Sequence, residues 1–481
     1  RIMNVAAASN MSFTRVTLAA VLLGAVSGEM RSYEATLTNI PDDGRQNFTE
    51  LSAKYNHPAV EHTVTTTDGY ILTIFNLPGS RGSCPVLFVH GVFDSSDGWI
   101  IRGNRSLAIM TANEGHDVWV GNCRGNKYAR KHTSLDPDKD EQFWNYSFNE
   151  YGIFDLSATI DHVLNATGKK QVCIVGFSEG TTATIVLGSS KPEYNQKVKS
   201  FVALAPVVFL EHARPLLSTI IKWSPLIDLI LPKSLQEVAG HYTIAKAIIN
   251  LLCTQLPLGY EICYRGGIYV LSGADPYGIE REFFPTVIGH FPDGTSRHNL
   301  IHYAQTCLRK SFAKYDYGAG ENFNKYRSFT PPEYDLSKMT MNTVLVSGLN
   351  DPVSTMKDVA KLYQKLPNVE KHIVVNNGLF SHLDHMWAKN FLATSPASTY
   401  TPTPSVLPTP SAVRSSADST RASLATPSSA ALRRERALYA KRAALAAPAL
   451  MPPGNQDTIL KQHRKVTNSK RSRDSVEKLD Q

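Results

Sequence analysis

Three side chains in this sequence have the types and order needed to open an ester or amide bond. Ser178 lies in Gly176-Phe177-Ser178-Glu179-Gly180, Asp351 in Gly348-Leu-Asn-Asp351-Pro352, and His382 in Gly378-Leu-Phe-Ser-His382. A serine hydroxyl is a poor nucleophile until a base accepts its proton. A histidine can be that base, with an acid fixing the imidazole tautomer. The order serine, acid, histidine is that of sheet proteins whose nucleophile sits on a sharp strand-to-helix turn. Each residue also has a bland reading. The pentapeptide alone is common by chance, and Ser178 would then sit in an ordinary glycine-rich turn. Asp351 would start a turn between Asn350 and Pro352. His382 is one of 15 histidines, and Asp384 reads as a loop or helix-start residue. Only their order and settings together lift the chemical reading above these.

A tetrahedral intermediate also needs donors for its oxyanion. The main-chain N–H of Glu179, next to the nucleophile, is one candidate. The other is the N–H of Val92, in the loop after His90-Gly91. Both act through the backbone, so their side chains are loosely specified. Glu179 is not expected to be the acid of the triad, because its side chain leaves from a turn position.

The surrounding pattern supplies elements to hold these groups. Gln171-Val-Cys-Ile-Val reads as a buried strand before the serine, and Thr181 to Leu187 continues as a helix. A side chain at Gly176 or Gly180 would crowd the strand or helix beside Ser178. Cys84 to Gly91, Gly115 to Gly125, Ser200 to Pro206, Met341 to Gly348 and Lys371 to Val375 read as further strands. Glu61 to Ile74 reads as two strands around an Asp-Gly turn. Asp155 to Leu164 and Thr355 to Leu366 fit helices. Strands alternating with helices predict an α/β fold, a mostly parallel central sheet covered on both faces. Asp351 and His382 then fall at carboxyl ends of strands, where open α/β sheets bind ligands.

Residues 28–206 and 330–392 are expected to form the two parts of one core. Residues 207–329 interrupt the alternation and are expected to form a helical cap. They include the apolar stretch Leu216 to Pro232, which packs on the core or faces an oily substrate. The chain carries +8 overall, and residues 393–481 hold 14 Lys/Arg against 6 Asp/Glu. The remainder is therefore neutral, which removes any charge argument for nucleic-acid binding. Ser, Thr, Pro and Ala dominate the start of that tail, which is expected to be disordered.

Residues 11–27 read as a signal peptide: Arg15 precedes an apolar run that ends at Ala25-Val26-Ser27. The run is shorter than the roughly 20 residues that span a bilayer. Export is consistent with sequons at Asn47, Asn104 and Asn165. A fourth, Asn145, lies in an aromatic run that is expected to pack inward. Cys84, Cys123 and Cys173 lie in or beside core strands and are expected as buried thiols. Cys253 and Cys263, close together in the cap, are the best disulfide candidates. No C-x-x-C or H-E-x-x-H pattern points to a metal, and no cofactor is expected.

Beyond these motifs, the chain resembles the acid lipase family of α/β-hydrolases, which includes gastric and lysosomal acid lipases. The resemblance runs from about Tyr55 to Asn390. It rests on His90-Gly91-Val92, Asp117 to Asn126, Phe143 to Asp161, the Ser178 turn, Asp293-Gly-Thr-Ser, Tyr315-Asp-Tyr-Gly and Ser381-His-Leu-Asp384. It implies an α/β-hydrolase fold with a lid and a secreted or lysosomal enzyme cleaving triacylglycerols or sterol esters at a lipid–water interface. It carries the nucleophile onto Ser178, the acid onto Asp351, the base onto His382 and the oxyanion donors onto Val92 and Glu179. The cap Cys253 and Cys263 match a disulfide position approximately. Two departures stand beside the nucleophile: Phe177 where the family commonly has His, and Glu179 where Gln is usual. They bear on substrate preference more than on activity.

The leading expectation is a serine lipase/esterase with no metal, cofactor or nucleic-acid partner. A non-catalytic lipid-binding homologue of the same fold is the alternative, and an esterase for small esters is a third reading. Reaction with a fluorophosphonate separates the first two.

Overall fold

A computed structural model describes residues 40–214, 235–241 and 243–389. The signal-peptide segment 11–27, the whole of the apolar stretch Leu216 to Pro232 and the tail 393–481 lie outside the described residues.

Ten strands are present among the described residues: β1 (Val60–Thr65), β2 (Ile71–Leu77), β3 (Arg81–Val89), β4 (His116–Val120), β5 (Val172–Phe177), β6 (Val198–Leu204), β7 (Glu237–Val238), β8 (Thr295–Ser296), β9 (Thr343–Ser347) and β10 (Val369–Val374). Eight form one sheet in the order β1-β2-β4-β3-β5-β6-β9-β10. β1 and β2 pair antiparallel around Asp68-Gly69, where Gly69 takes a φ of 99° that suits glycine. β2 meets β4 antiparallel, and every later pair in the sheet is parallel. The mostly parallel sheet expected from the sequence is therefore present, with β5 near its middle.

Burial on both faces follows from side-chain alternation along each strand. Ile74, Leu87, Val89, Trp119 and Ile174 pack into one apolar cluster. Phe75, Leu77, Phe88, Val118 and Val120 pack into a second. Helices cover the sheet, among them Ser157–Thr167, Glu179–Ser190 and Met356–Lys365. The last is capped by Thr355, whose side chain accepts from Asp358 N–H. The helix expected over Asp155 to Leu164 begins earlier and less regularly. Ser147 and Glu150 close a capping box, π-type turns follow over Tyr151–Leu156, and regular helix resumes at Ser157. Gly152 sits there because a Cβ would lie 2.7 Å from the Ala183 carbonyl oxygen of the neighbouring helix.

Between β6 and β9 the described residues form Ile244–Asn250, Phe284–His290, Arg297–Arg309 and Ala319–Tyr326, with π-type turns over Leu251–Gln255 and Tyr260–Ile268. Cys253 and Cys263 are disulfide-bonded there, with Cα atoms 5.6 Å apart.

The cysteine reading of the core needs a correction. Cys84 and Cys173, expected as free thiols, are joined, with Cα atoms 5.9 Å apart. β3 and β5 are parallel neighbours, and Val86 lies in register with Cys173. Alternation puts Cys84 on the same face as Val86, diagonal to Cys173 and within disulfide reach. Strand adjacency of this kind is invisible along the chain. Cys123 is a buried free thiol, as expected. Asn145 is exposed although Trp144 and Tyr146 beside it are buried, so its aromatic setting does not bury it.

Candidate active site

Ser178 stands at the break between β5 and the helix Glu179–Ser190, with φ 49° and ψ −111°. A non-glycine residue holds such a conformation only where its surroundings enforce it. Here the Ser178 N–H donates to the Leu204 carbonyl at 3.0 Å, tying the turn to β6. The glycines allow the close approach. A Cβ at Gly180 would lie 2.3 Å from the Val89 carbonyl oxygen, and one at Gly176 would lie 3.0 Å from Gly180 C. The turn is thus packed against β3 and projects the hydroxyl beyond the strand end.

Asp351 follows β9 and His382 follows β10. His382 Nε2 is 2.8 Å from Ser178 Oγ, and His382 Nδ1 is 2.7 Å from Asp351 Oδ2. The other Asp351 oxygen accepts from Val353 N–H and Ser354 N–H, each at 2.8 Å. All three side chains are buried. Burial works to raise the Asp351 carboxyl, but the His382 imidazole, then His385 and the Ser354 amide, outweigh it and hold the group below its ordinary value. An ionised acid fixes the proton on Nδ1 and leaves Nε2 free to accept from the serine. The main-chain N–H of His382 donates to the Ser272 carbonyl at 2.9 Å, so the segment between β6 and β9 helps hold this residue in place. His385 is the near alternative, but its ring sits edge-on to Phe380 at 4.7 Å and burial pushes it down to about 3.

The loop carrying Val92 is shaped by a residue whose role the sequence alone left unassigned. Cys123 N–H donates to His90 Nε2 at 3.0 Å, which places the His90 proton on Nδ1, 2.8 Å from the Gly91 carbonyl it donates to. Burial pushes His90 down to about 4, so the ring stays neutral. The tandem His-Gly was the available signal. From the other side, Asp293 N–H donates to the Phe93 carbonyl at 2.7 Å. The Glu179 N–H is the first of its helix and has no intrahelical acceptor, so it is available to an oxyanion.

Phe177, the first departure from the resemblance, packs its ring 5.2 Å from that of His382. Glu179, the second, is buried, and its Oε1 accepts from Asn299 Nδ2 at 2.6 Å. Asp384, read as a loop or helix-start residue, begins the short helix Asp384–Trp387, is buried and accepts from Ser381 N–H at 2.6 Å. It thereby braces the loop that presents His382. Among the described residues, no group of three His, Cys, Asp or Glu side chains is arranged to hold a metal ion.

A mostly parallel sheet, a serine on the turn after a central strand, and an acid and a histidine after later strands define the α/β-hydrolase class. Residues 85–241 match the alpha/beta hydrolase fold family, and 48–103 match the partial alpha/beta-hydrolase lipase region. Lipase 1 of Drosophila melanogaster is 36% identical over 73% of this chain and 78% of its own length. Lipase member K of Homo sapiens is 32% identical over 76% of this chain and 93% of its own length. Gastric triacylglycerol lipase of Rattus norvegicus is 32% identical over 72% of this chain and 88% of its own length. The chain belongs to the acid lipase family of α/β-hydrolases.

Proposed function

We propose that this carboxylic ester hydrolase cleaves neutral-lipid esters, triacylglycerol or sterol ester, through an acyl-enzyme on Ser178. The observation that carries the reading is the hydrogen-bonded series Ser178–His382–Asp351, at 2.8 and 2.7 Å. Ser178 Oγ attacks the ester carbonyl while His382 Nε2 takes its proton. The N–H groups of Val92 and Glu179 receive the oxyanion. Collapse expels the alcohol, which takes the proton from His382. Water deprotonated by His382 then attacks the acyl-enzyme, the bond to Ser178 Oγ breaks, His382 returns the proton to Oγ, and the fatty acid leaves.

A lipid substrate is supported by the named activity of the lipase relatives. It is also supported by the large apolar side chains exposed between β6 and β9, namely Leu251, Leu252, Leu256, Leu258, Ile262 and Leu271. Such a cluster on one segment is the mark of an apolar partner surface. In this reading residues 207–329 are the cap through which lipid reaches Ser178. Passage through the secretory pathway, to a secreted or lysosomal destination, accords with both disulfides and with exposed sequon asparagines at Asn47, Asn104 and Asn165. No helix among the described residues is long and apolar enough to cross a membrane.

A fluorophosphonate should label the chain once, at Ser178, and Ser178→Ala should fold but lose both label and ester hydrolysis. An unlabelled, folded parent chain would instead leave the non-catalytic lipid-binding reading standing. Emulsified long-chain acylglycerol turned over no faster than a soluble short-chain ester would favour the small-ester reading.

A further inference from the structure

The sequon Asn145-Tyr146-Ser147 lies inside an aromatic run, yet the fold turns its asparagine outward. Asn145 has φ −83° and ψ 62°, and Tyr146 N–H donates to the Trp144 carbonyl at 2.9 Å. Those angles and that bond make an inverse γ-turn with Asn145 at its apex. The residues on either side are drawn the other way. Trp144 is buried, and its Nε1 donates to the Pro137 carbonyl at 2.9 Å. Tyr146 is buried with its ring 5.5 Å from that of Tyr151, and its carbonyl accepts from Ser296 Oγ at 2.6 Å. Anchoring both flanks of so tight a turn leaves the apex side chain facing solvent.

The Asn145 carboxamide is free to carry a substituent. Among the described residues it has no hydrogen-bonding partner; only the main-chain N–H of Asn145 is engaged, with the Gln142 carbonyl at 3.1 Å. Asn47 differs, because its Oδ1 caps a helix by accepting from Glu50 N–H at 3.0 Å. The bland reading makes Asn145 a polar turn residue and nothing more. Its carboxamide then does no work in the fold, whereas a sequon uses it. Ser147, the hydroxyl residue of the sequon, is buried, and its Oγ lies 3.0 Å from Glu150 Oε2 and 2.9 Å from His302 Nδ1. The hydroxyl is thus out of reach once this region has folded, and the sequon can be read only in the nascent chain.

We propose that Asn145 carries an N-linked oligosaccharide, attached during synthesis before Tyr146 and Ser147 are buried. The inference rests on the secretory reading above. In the transfer, Asn145 Nδ2 forms a bond to C1 of the first sugar of a polyprenyl diphosphate-linked oligosaccharide. The bond from C1 to the diphosphate oxygen breaks, the diphosphate leaves with the electron pair, and the nitrogen gives up one proton. The chain then folds with the sugar outside. Trp144 and Tyr146 keep their anchors, because the apex carboxamide holds no contact that the sugar must displace.

Site mapping of the full chain made in eukaryotic cells is the test. Peptide-N-glycosidase in heavy-oxygen water turns each modified asparagine into a labelled aspartate, which mass spectrometry of the peptides reads against an enzyme-free control. Most copies of the secreted chain should carry the label at Asn145. A secreted chain unlabelled at Asn145 overturns this inference alone, whatever Asn47, Asn104 and Asn165 carry. A chain kept in the cytosol and unlabelled at every sequon brings down the secretory reading and this inference with it. Asn145→Gln, which removes no contact of the fold, should lower the mass of the intact secreted chain by one oligosaccharide. A variant with the parent's mass overturns the proposal.

Discussion

His382 Nε2 and Ser178 Oγ lie 2.8 Å apart although 204 positions separate them along the chain. Two parallel strands bring them together: Ser178 leaves β5, and His382 follows β10 at the edge of the same sheet. The distance is that of a hydrogen bond ready for proton transfer, and it depends on the partner at the other end of the imidazole.

Replacing that partner should disable the base. Asp351→Asn preserves shape but lets an amide donate to His382 Nδ1, which moves the imidazole proton onto Nε2 and blocks acceptance from Ser178. We expect kcat to fall about a thousandfold to ten-thousandfold with little change in KM. Single-turnover ester hydrolysis checks it, and a loss under about tenfold would remove Asp351 from the catalytic triad.

The two disulfides should differ in their effect on stability. Cys84–Cys173 closes a separation of 89 residues and Cys253–Cys263 one of 10. Loop entropy puts their contributions at about 5 and about 3 kcal/mol. Cys84→Ala with Cys173→Ala should therefore lower the thermal midpoint more than Cys253→Ala with Cys263→Ala. Calorimetry of the two double variants decides the order.

Asp384 should make the fold more stable in acid. Burial, with Asp275 beside it, raises its carboxyl to about 7 in the folded chain, against an unfolded value of 3.8. Between those values the folded state holds a proton that the unfolded state has lost. The stabilisation is thus fully present below the unfolded value and is lost as pH rises through about 7. At about 1.4 kcal/mol per unit, the change amounts to a few kcal/mol. Asp384→Asn, which keeps the bond from Ser381 N–H, should flatten that decline. Denaturant midpoints at about pH 5 and about pH 8 measure it, and parallel declines in parent and variant would exclude Asp384 as the cause.

Local chemistry made part of this protein legible from its residues. The Ser178 turn could be read because two glycines, an apolar strand before and a helical run after constrain it from within about a dozen positions. Asp351 and His382 could be placed at strand ends for the same reason, and the sheet class followed from alternation along the chain. What lay across strands could not be read that way. The Cys84–Cys173 bond depends on β3 and β5 being neighbours in register, and sequence spacing carries no record of that.

The surroundings of Glu179 mark the boundary most clearly. The sequence supplied a glutamate beside a nucleophile and therefore the possibility of a charge. The folded chain decided what that carboxyl meets, by burying it and bringing Asn299 Nδ2, 120 positions away, within 2.6 Å of it. Residue types set the menu of protons, and distant packing set the dielectric and the donors, which together fix where each proton sits.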